Sequence, residues 1–252
     1  MGGDVILRLE HLSKSYGELK VTNDLSMSLK TQQIHALIGP NGAGKTSLIS
    51  QISGHSLSDS GIVWFDGQDI THLKPHARVH AGLVRSFQIT RLFKSFTVLD
   101  NIALALQAKE GRNFSFWRAV SRDEQLRQKA RHVLEEIGLE KVALSLASDL
   151  SHGEQRILEL GLALACEPKL LLLDEPMAGA GQEESERIVR LIQKIRKAVS
   201  ILLVEHDMDA VFSLADVVSV LVNGQIIASA SPDRIKTDPL VIQAYLGDEV
   251  SS

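Results

Sequence analysis

Gly39-Pro40-Asn41-Gly42-Ala43-Gly44-Lys45-Thr46, followed by Ser47, is the stretch whose residue types and spacing most clearly imply chemistry. It fits Gly-x-x-x-x-Gly-Lys-[Ser/Thr], a loop that cradles the phosphates of a nucleoside triphosphate. Glycines let successive backbone N–H groups curl around a phosphate, and the start of the next helix adds positive potential. Lys45 is expected to reach the β- and γ-phosphates, and the Thr46 hydroxyl to take one position on Mg²⁺. Further along, Asp174 and Glu175 end the run Leu170-Leu171-Leu172-Leu173. Asp174 is placed to hold Mg²⁺, directly or through water, and Glu175 to polarise an attacking water as general base. Acidic residues also cap helices that follow strands, so that reading stands beside the catalytic one. His206, in Val204-Glu205-His206-Asp207, follows another apolar run and is a candidate contact for the γ-phosphate.

These residues need elements to hold them. The apolar run Ile34–Ile38 leads into the glycine-rich loop, and a helix-like stretch from Lys45 to Ile52 follows. That strand–loop–helix setting is the one the motif requires. Strands are expected at Val5–Glu10, Asp24–Leu29 and Ile62–Phe65, with Asp66-Gly67 as a turn. From about 88 to 164 the pattern becomes helical, with Asn101–Lys109 and Ser121–Ile137 as helices and Gly138 as a stop. Afterwards strands (170–173, 201–204, 217–222) alternate with helices (183–197, 208–214), which predicts a parallel sheet with helices on its faces. Asn223-Gly224 is a hairpin signal. A strand buried on both faces suits the four leucines, and ligands bind at the carboxyl ends of such strands.

Composition narrows the class. The chain has 252 residues, 44% of them hydrophobic, enough for a substantial core, and only 4% aromatic, so that core should be aliphatic. A net charge of −4 gives no electrostatic footprint for nucleic acid. The single Cys166 excludes an internal disulfide and a cysteine-rich metal site. No apolar run approaches the length of a bilayer span, and Met1-Gly2-Gly3-Asp4-Val5 lacks the character of a signal peptide. A soluble cytoplasmic protein is expected.

Leu150-Ser151-His152-Gly153-Glu154-Gln155 is similar to the Leu-Ser-Gly-Gly-Gln signature of the ABC (ATP-binding cassette) ATPases. With the phosphate loop, the Asp174-Glu175 pair and His206, the order of motifs resembles that family over nearly the whole chain. The resemblance implies an α/β fold: a P-loop NTPase cassette with a mostly parallel core sheet, an antiparallel β subdomain and a helical insertion. It implies one cassette over 1–252, with a nucleotide-binding core at about 1–87 and 165–252 and a helical subdomain at about 88–164. It assigns Gln88, in Arg85-Ser86-Phe87-Gln88, as the Q-loop glutamine near Mg²⁺, and Tyr16 as the aromatic stacked on adenine. ATP and Mg²⁺ are the implied ligands. In the family two cassettes pack head to tail, so Ser151, His152, Gly153, Glu154 and Gln155 would meet the ATP of a partner. Ser151 with Glu154 three residues later is equally a helix cap, and the two uses are compatible. His152 replaces a signature glycine, and Met177–Gln182 lacks the aspartate that crosses the family's dimer.

Arg85–Gln88, Arg91-Leu92-Phe93, Thr97–Asn101, Met177-Ala178-Gly179 and Ala244-Tyr245-Leu246-Gly247 resemble the ATPases of branched-chain amino-acid and amide importers. That branch implies two membrane permease subunits, a second ATPase subunit (homo- or heterodimeric), an external solute-binding protein and a peripheral location on the cytoplasmic face of the inner membrane. Leu92, Phe93, Phe96 and the insertion Phe114-Ser115-Phe116-Trp117 are expected to dock the permease, or else to fill the insertion's own core. The alternatives are a urea importer, a lipopolysaccharide exporter, or a non-transport clamp acting on DNA or ribosomes.

Overall fold

The computed structural model describes residues 4–86, 92–109 and 123–249. In chain order these form β1 (Val5–Tyr16), β2 (Leu19–Lys30), β3 (Ile34–Ile38), α1 (Lys45–Ile52), β4 (Ser60–Phe65), β5 (Gln68–Asp69), α2 (Pro75–Ala81) and β6 (Leu83–Arg85). There follow α3 (Val98–Lys109), α4 (Glu124–Ile137), α5 (His152–Ala165), β7 (Leu170–Asp174), α6 (Gln182–Ile195), β8 (Ser200–Val204), α7 (Met208–Leu214), β9 (Val217–Val222), β10 (Gln225–Ala230), α8 (Pro232–Lys236) and α9 (Pro239–Glu249).

Two sheets organise the chain. An antiparallel sheet runs β2-β1-β4-β5, and a second runs β10-β9-β3-β8-β7-β6. In the second, β9, β3, β8, β7 and β6 are parallel, and only β10 returns antiparallel through the Asn223-Gly224 hairpin. The parallel alignment puts the ends of β3, β8, β7 and β6 along one edge, where Leu37 and Asp174 both register against Val204.

Burial explains the continuous apolar runs. Every residue of β3, β7 and β8 is buried. Alternate side chains serve opposite faces: Leu171 and Leu173 pack with α3–α6, while Leu170 and Leu172 pack with α1 and the antiparallel sheet. A third cluster joins Ile38 and Val220 to Val211 and Ile235. The helices pack by stripes at helical spacing, as in α4, which buries Leu126, Ala130, Leu134 and Ile137. Asp123 caps its first turn, and Gly138 ends it at φ 73°.

Several elements differ from expectation. β1 and β2 run well past their apolar stretches, through register shifts that carry the pairing into polar residues. The helix foreseen from 121 starts at Glu124, with 121–122 outside the described residues. The short α2 and β6 carry too few apolar residues to announce themselves. No described helix is long and apolar enough to cross a membrane.

Candidate functional site

The parallel edge gathers the predicted residues. β3 delivers the glycine-rich loop, two of whose glycines are forced by neighbours: a Cβ on Gly39 would lie 2.1 Å from the Leu221 carbonyl oxygen, and one on Gly44 2.3 Å from that of Val21. The loop therefore seats directly on β2 and β9. Lys45 opens α1 and is 6% exposed. Its ammonium donates to the carbonyls of Gly39 at 2.6 Å and Pro40 at 2.9 Å, tying the loop's two ends together. Burial pulls its pKa below the ordinary lysine value, opposed by the charges of Glu175 and Asp174. Thr46 is exposed at the helix start, its hydroxyl open to a ligand.

β7 and β8 supply the acidic side. Asp174 caps no helix, since the next one begins at Gln182. Its carboxylate is buried and accepts a hydrogen bond from Arg85 Nη2 at 2.7 Å. Glu175 follows with φ 51°, a left-handed conformation for a residue with a side chain. Its backbone N–H is fixed to Val204 at 2.8 Å, and its Oε1 lies 2.7 Å from His206 Nε2. Residues 31 positions apart are thus joined at the edge.

Sequence reasoning gave no role to Glu205 or Arg85. Buried Glu205 accepts from the N–H of Met177 and of His206, both at 2.8 Å, and so fixes the turns after β7 and β8 together. The available signal was a charge placed directly at the end of an apolar strand, which is costly unless paired.

Other predicted residues lie apart from this edge. Ser151 caps α5 in a reciprocal box with Glu154: the Glu154 N–H donates to Ser151 Oγ at 3.2 Å, and the Ser151 N–H to the Glu154 carboxylate at 2.9 Å. Gln155 Nε2 donates to the Leu150 carbonyl at 3.0 Å. His152 is exposed. Among the described residues no hydrogen bond or ion pair links 151–155 to the phosphate loop of the same chain. Gly153 instead donates to Glu184 Oε1 at 3.1 Å, while Glu184 Oε2 accepts from Gly181 at 3.3 Å, stapling the segment after β7 to α5. Tyr16 ends β1, 55% exposed, with its hydroxyl 3.2 Å from Ser56 Oγ and Lys14 Nζ 5.4 Å from its ring centroid. Asp59 accepts from Lys14 Nζ and from the Ser15 N–H, both at 2.7 Å, and those bonds hold its carboxyl below its usual pKa. Gln88 and Phe114–Trp117 lie outside the described residues. Leu92 does not face outward as expected; it joins the core, whereas Phe93 is 54% exposed and stacks on Phe96 at 5.4 Å.

Among the described residues no group of three or more His, Cys, Asp or Glu could hold a metal unaided. A hydroxyl (Thr46) and one carboxylate (Asp174) are hard oxygen donors that suit Mg²⁺, an ion commonly bound by one or two carboxylates with substrate phosphates completing its shell.

Comparison with known proteins identifies the family. Residues 22–178 match the family model described as ABC transporter, and residues 225–251 one described as branched-chain amino acid ATP-binding cassette transporter. The chain is 35% identical over 253 residues to the high-affinity branched-chain amino acid transport ATP-binding protein BraF of Pseudomonas aeruginosa, covering 96% of this chain and 98% of that one. It is 36% identical, with the same coverage, to LivG of Escherichia coli, which carries the same description. Among solved structures, the ADP conformation of MJ1267, an ATP-binding cassette of an ABC transporter, superposes with a TM-score of 0.86 at 32% identity, covering 96% of this chain and 99% of that chain. The chain belongs to the ABC transporter family of ATP-binding cassettes, whose members hydrolyse ATP to power transport.

Proposed function

We propose that this chain is an ATP-hydrolysing subunit of a branched-chain amino-acid importer. The observation that carries the substrate class is similarity along the whole length to branched-chain amino acid transport ATP-binding proteins, together with the C-terminal match over 225–251.

The site residues take these roles. Gly39–Thr46 and Ser47 wrap the triphosphate, Lys45 neutralises the β- and γ-oxygens, and Tyr16 offers its exposed ring to adenine. Thr46 and Asp174, with Gln88, would hold Mg²⁺, which when bound neutralises charge developing on the phosphates. Glu175 takes a proton from the attacking water as the water oxygen bonds to the γ-phosphorus and the bond to the ADP oxygen breaks. His206, 2.7 Å from Glu175, holds that carboxylate in place and faces the γ-phosphate side. Ser151–Gln155 serve the ATP of a second cassette packed head to tail. The helical region at about 88–164 acts as a separate subdomain. An apolar cavity of about 380 Å³, lined by Val79, Phe93, Leu104, Ala105, Leu162 and Cys166, is where a permease segment docks at the cytoplasmic face of the inner membrane. A solute-binding protein would act on the far side, without touching this chain.

The test is purification of the chain from gently solubilised native membranes. Two multispanning permeases, a second ATPase and leucine uptake by the reconstituted assembly are expected. A lone homodimer with no membrane protein across repeated trials would overturn the reading.

A further inference from the structure

Arg85 carries a role that no motif assigns. It ends β6, in register with Leu172 of β7, and Asp174 lies two residues further along β7. Neighbours in register project to the same face, as do residues two apart on one strand, so Arg85 and Asp174 share a face of the sheet. The guanidinium spans the offset: Nη2 donates to Asp174 Oδ2 at 2.7 Å and Nη1 to Ser50 Oγ of α1 at 3.2 Å. The pair is enclosed, with the Arg85 side chain 13% exposed and that of Asp174 1%. A rigid planar fork held at both α1 and β7 fixes the rotation of the carboxylate in a way that a flexible ammonium would not.

We infer that Arg85 is a positioning residue for Mg²⁺: it presents Asp174 to the metal. The inference rests on the proposed use of Asp174 and Thr46 as metal donors. Carboxylate ligands are commonly oriented by a hydrogen-bonded outer partner, and losing such a partner costs roughly 10–100-fold in metal affinity. A purely structural pair would instead change folding and leave the metal preference alone.

The experiment measures ATP affinity of the full chain by calorimetry, once in Mg²⁺ and once in excess EDTA, and takes the ratio of the two dissociation constants. The wild type should bind ATP more tightly with Mg²⁺. Arg85→Gln should keep its EDTA affinity and lose about 10–100-fold of the Mg²⁺ advantage. Arg85→Lys keeps the charge without the fork, remains the safer folder, and should fall between the two. Cooperative thermal melts establish that each variant is folded. A wild-type ratio in either folded variant overturns the role of Arg85. A wild type indifferent to Mg²⁺ overturns the metal reading itself, and the inference with it.

Discussion

Glu175→Gln separates chemistry from structure at this site. The amide keeps the shape of the side chain and one oxygen near His206, which lies 2.7 Å from Glu175 Oε1. It removes the charge and the capacity to accept a proton. The ground-state cost is small, because the pair is partly open, with side-chain exposures of 22% for Glu175 and 45% for His206. Ion pairs that exposed contribute about 0.2–1 kcal/mol. The kinetic cost is larger. A positioned general base contributes about 10²–10⁴-fold, or roughly 3–5 kcal/mol of barrier. The two ranges do not overlap, so the variant should melt within a few degrees of the wild type and bind ATP as well while its turnover collapses. Phosphate release gives the rate, and calorimetry gives the affinity. Turnover within a factor of ten of wild type would refute the general-base role. A loss of affinity matching the loss of rate would place Glu175 in binding instead.

Lys45→Ala should weaken ATP binding by about 10–100-fold, the equivalent of one charge-assisted hydrogen bond at roughly 1.5–3 kcal/mol; calorimetry with ATP measures it. Gly153→Ala would bring a Cβ to 2.6 Å from Glu184 Oε1, so overpacking should cost about 1–3 kcal/mol in urea unfolding. Glu184→Ala in the same chain should recover most of that clash, and strict additivity of the two substitutions would contradict it. His35 is buried neutral, its pKa pushed down to about 4 by burial. The unfolded chain takes up a proton near pH 6.5 and the folded chain only near 4, so stability is lost as pH falls through that window, by about 3 kcal/mol in all. His35→Gln should flatten the unfolding free energy between those pH values.

Legibility in the sequence followed contiguity. The phosphate loop, the capping box at Ser151 and the strand ending at Asp174 are each written in a few adjacent residues, so periodicity and spacing suffice to find them. What needed coordinates joins distant segments. Arg78 is buried, yet its guanidinium donates to the carbonyls of Gln51, Ile52, Thr71 and Leu73, closing the end of α1 from a helix too short to be read. Nothing about an arginine between Ala77 and Val79 announces that. Glu184 reads as one more charge on a polar helix, although its carboxylate reaches Gly153 across 31 positions. β1 and β2 outran their apolar stretches because their outer halves are held by backbone pairing that continues through irregularities at His11 and Asp24, both at positive φ, a preference that side-chain pattern does not encode.

The left-handed backbone at Glu175 sets the needs of the reaction against the durability of the fold. At φ 51° a side chain is crowded, and glycine there would relieve about 1 kcal/mol. A screen that rewards thermal endurance alone has no reason to reject glycine at this position, and on the proposed general-base role each such survivor should lose turnover. Any effort to toughen this protein must select on turnover alongside melting temperature, because glycine at this position would ease the backbone while removing the carboxylate proposed as the general base.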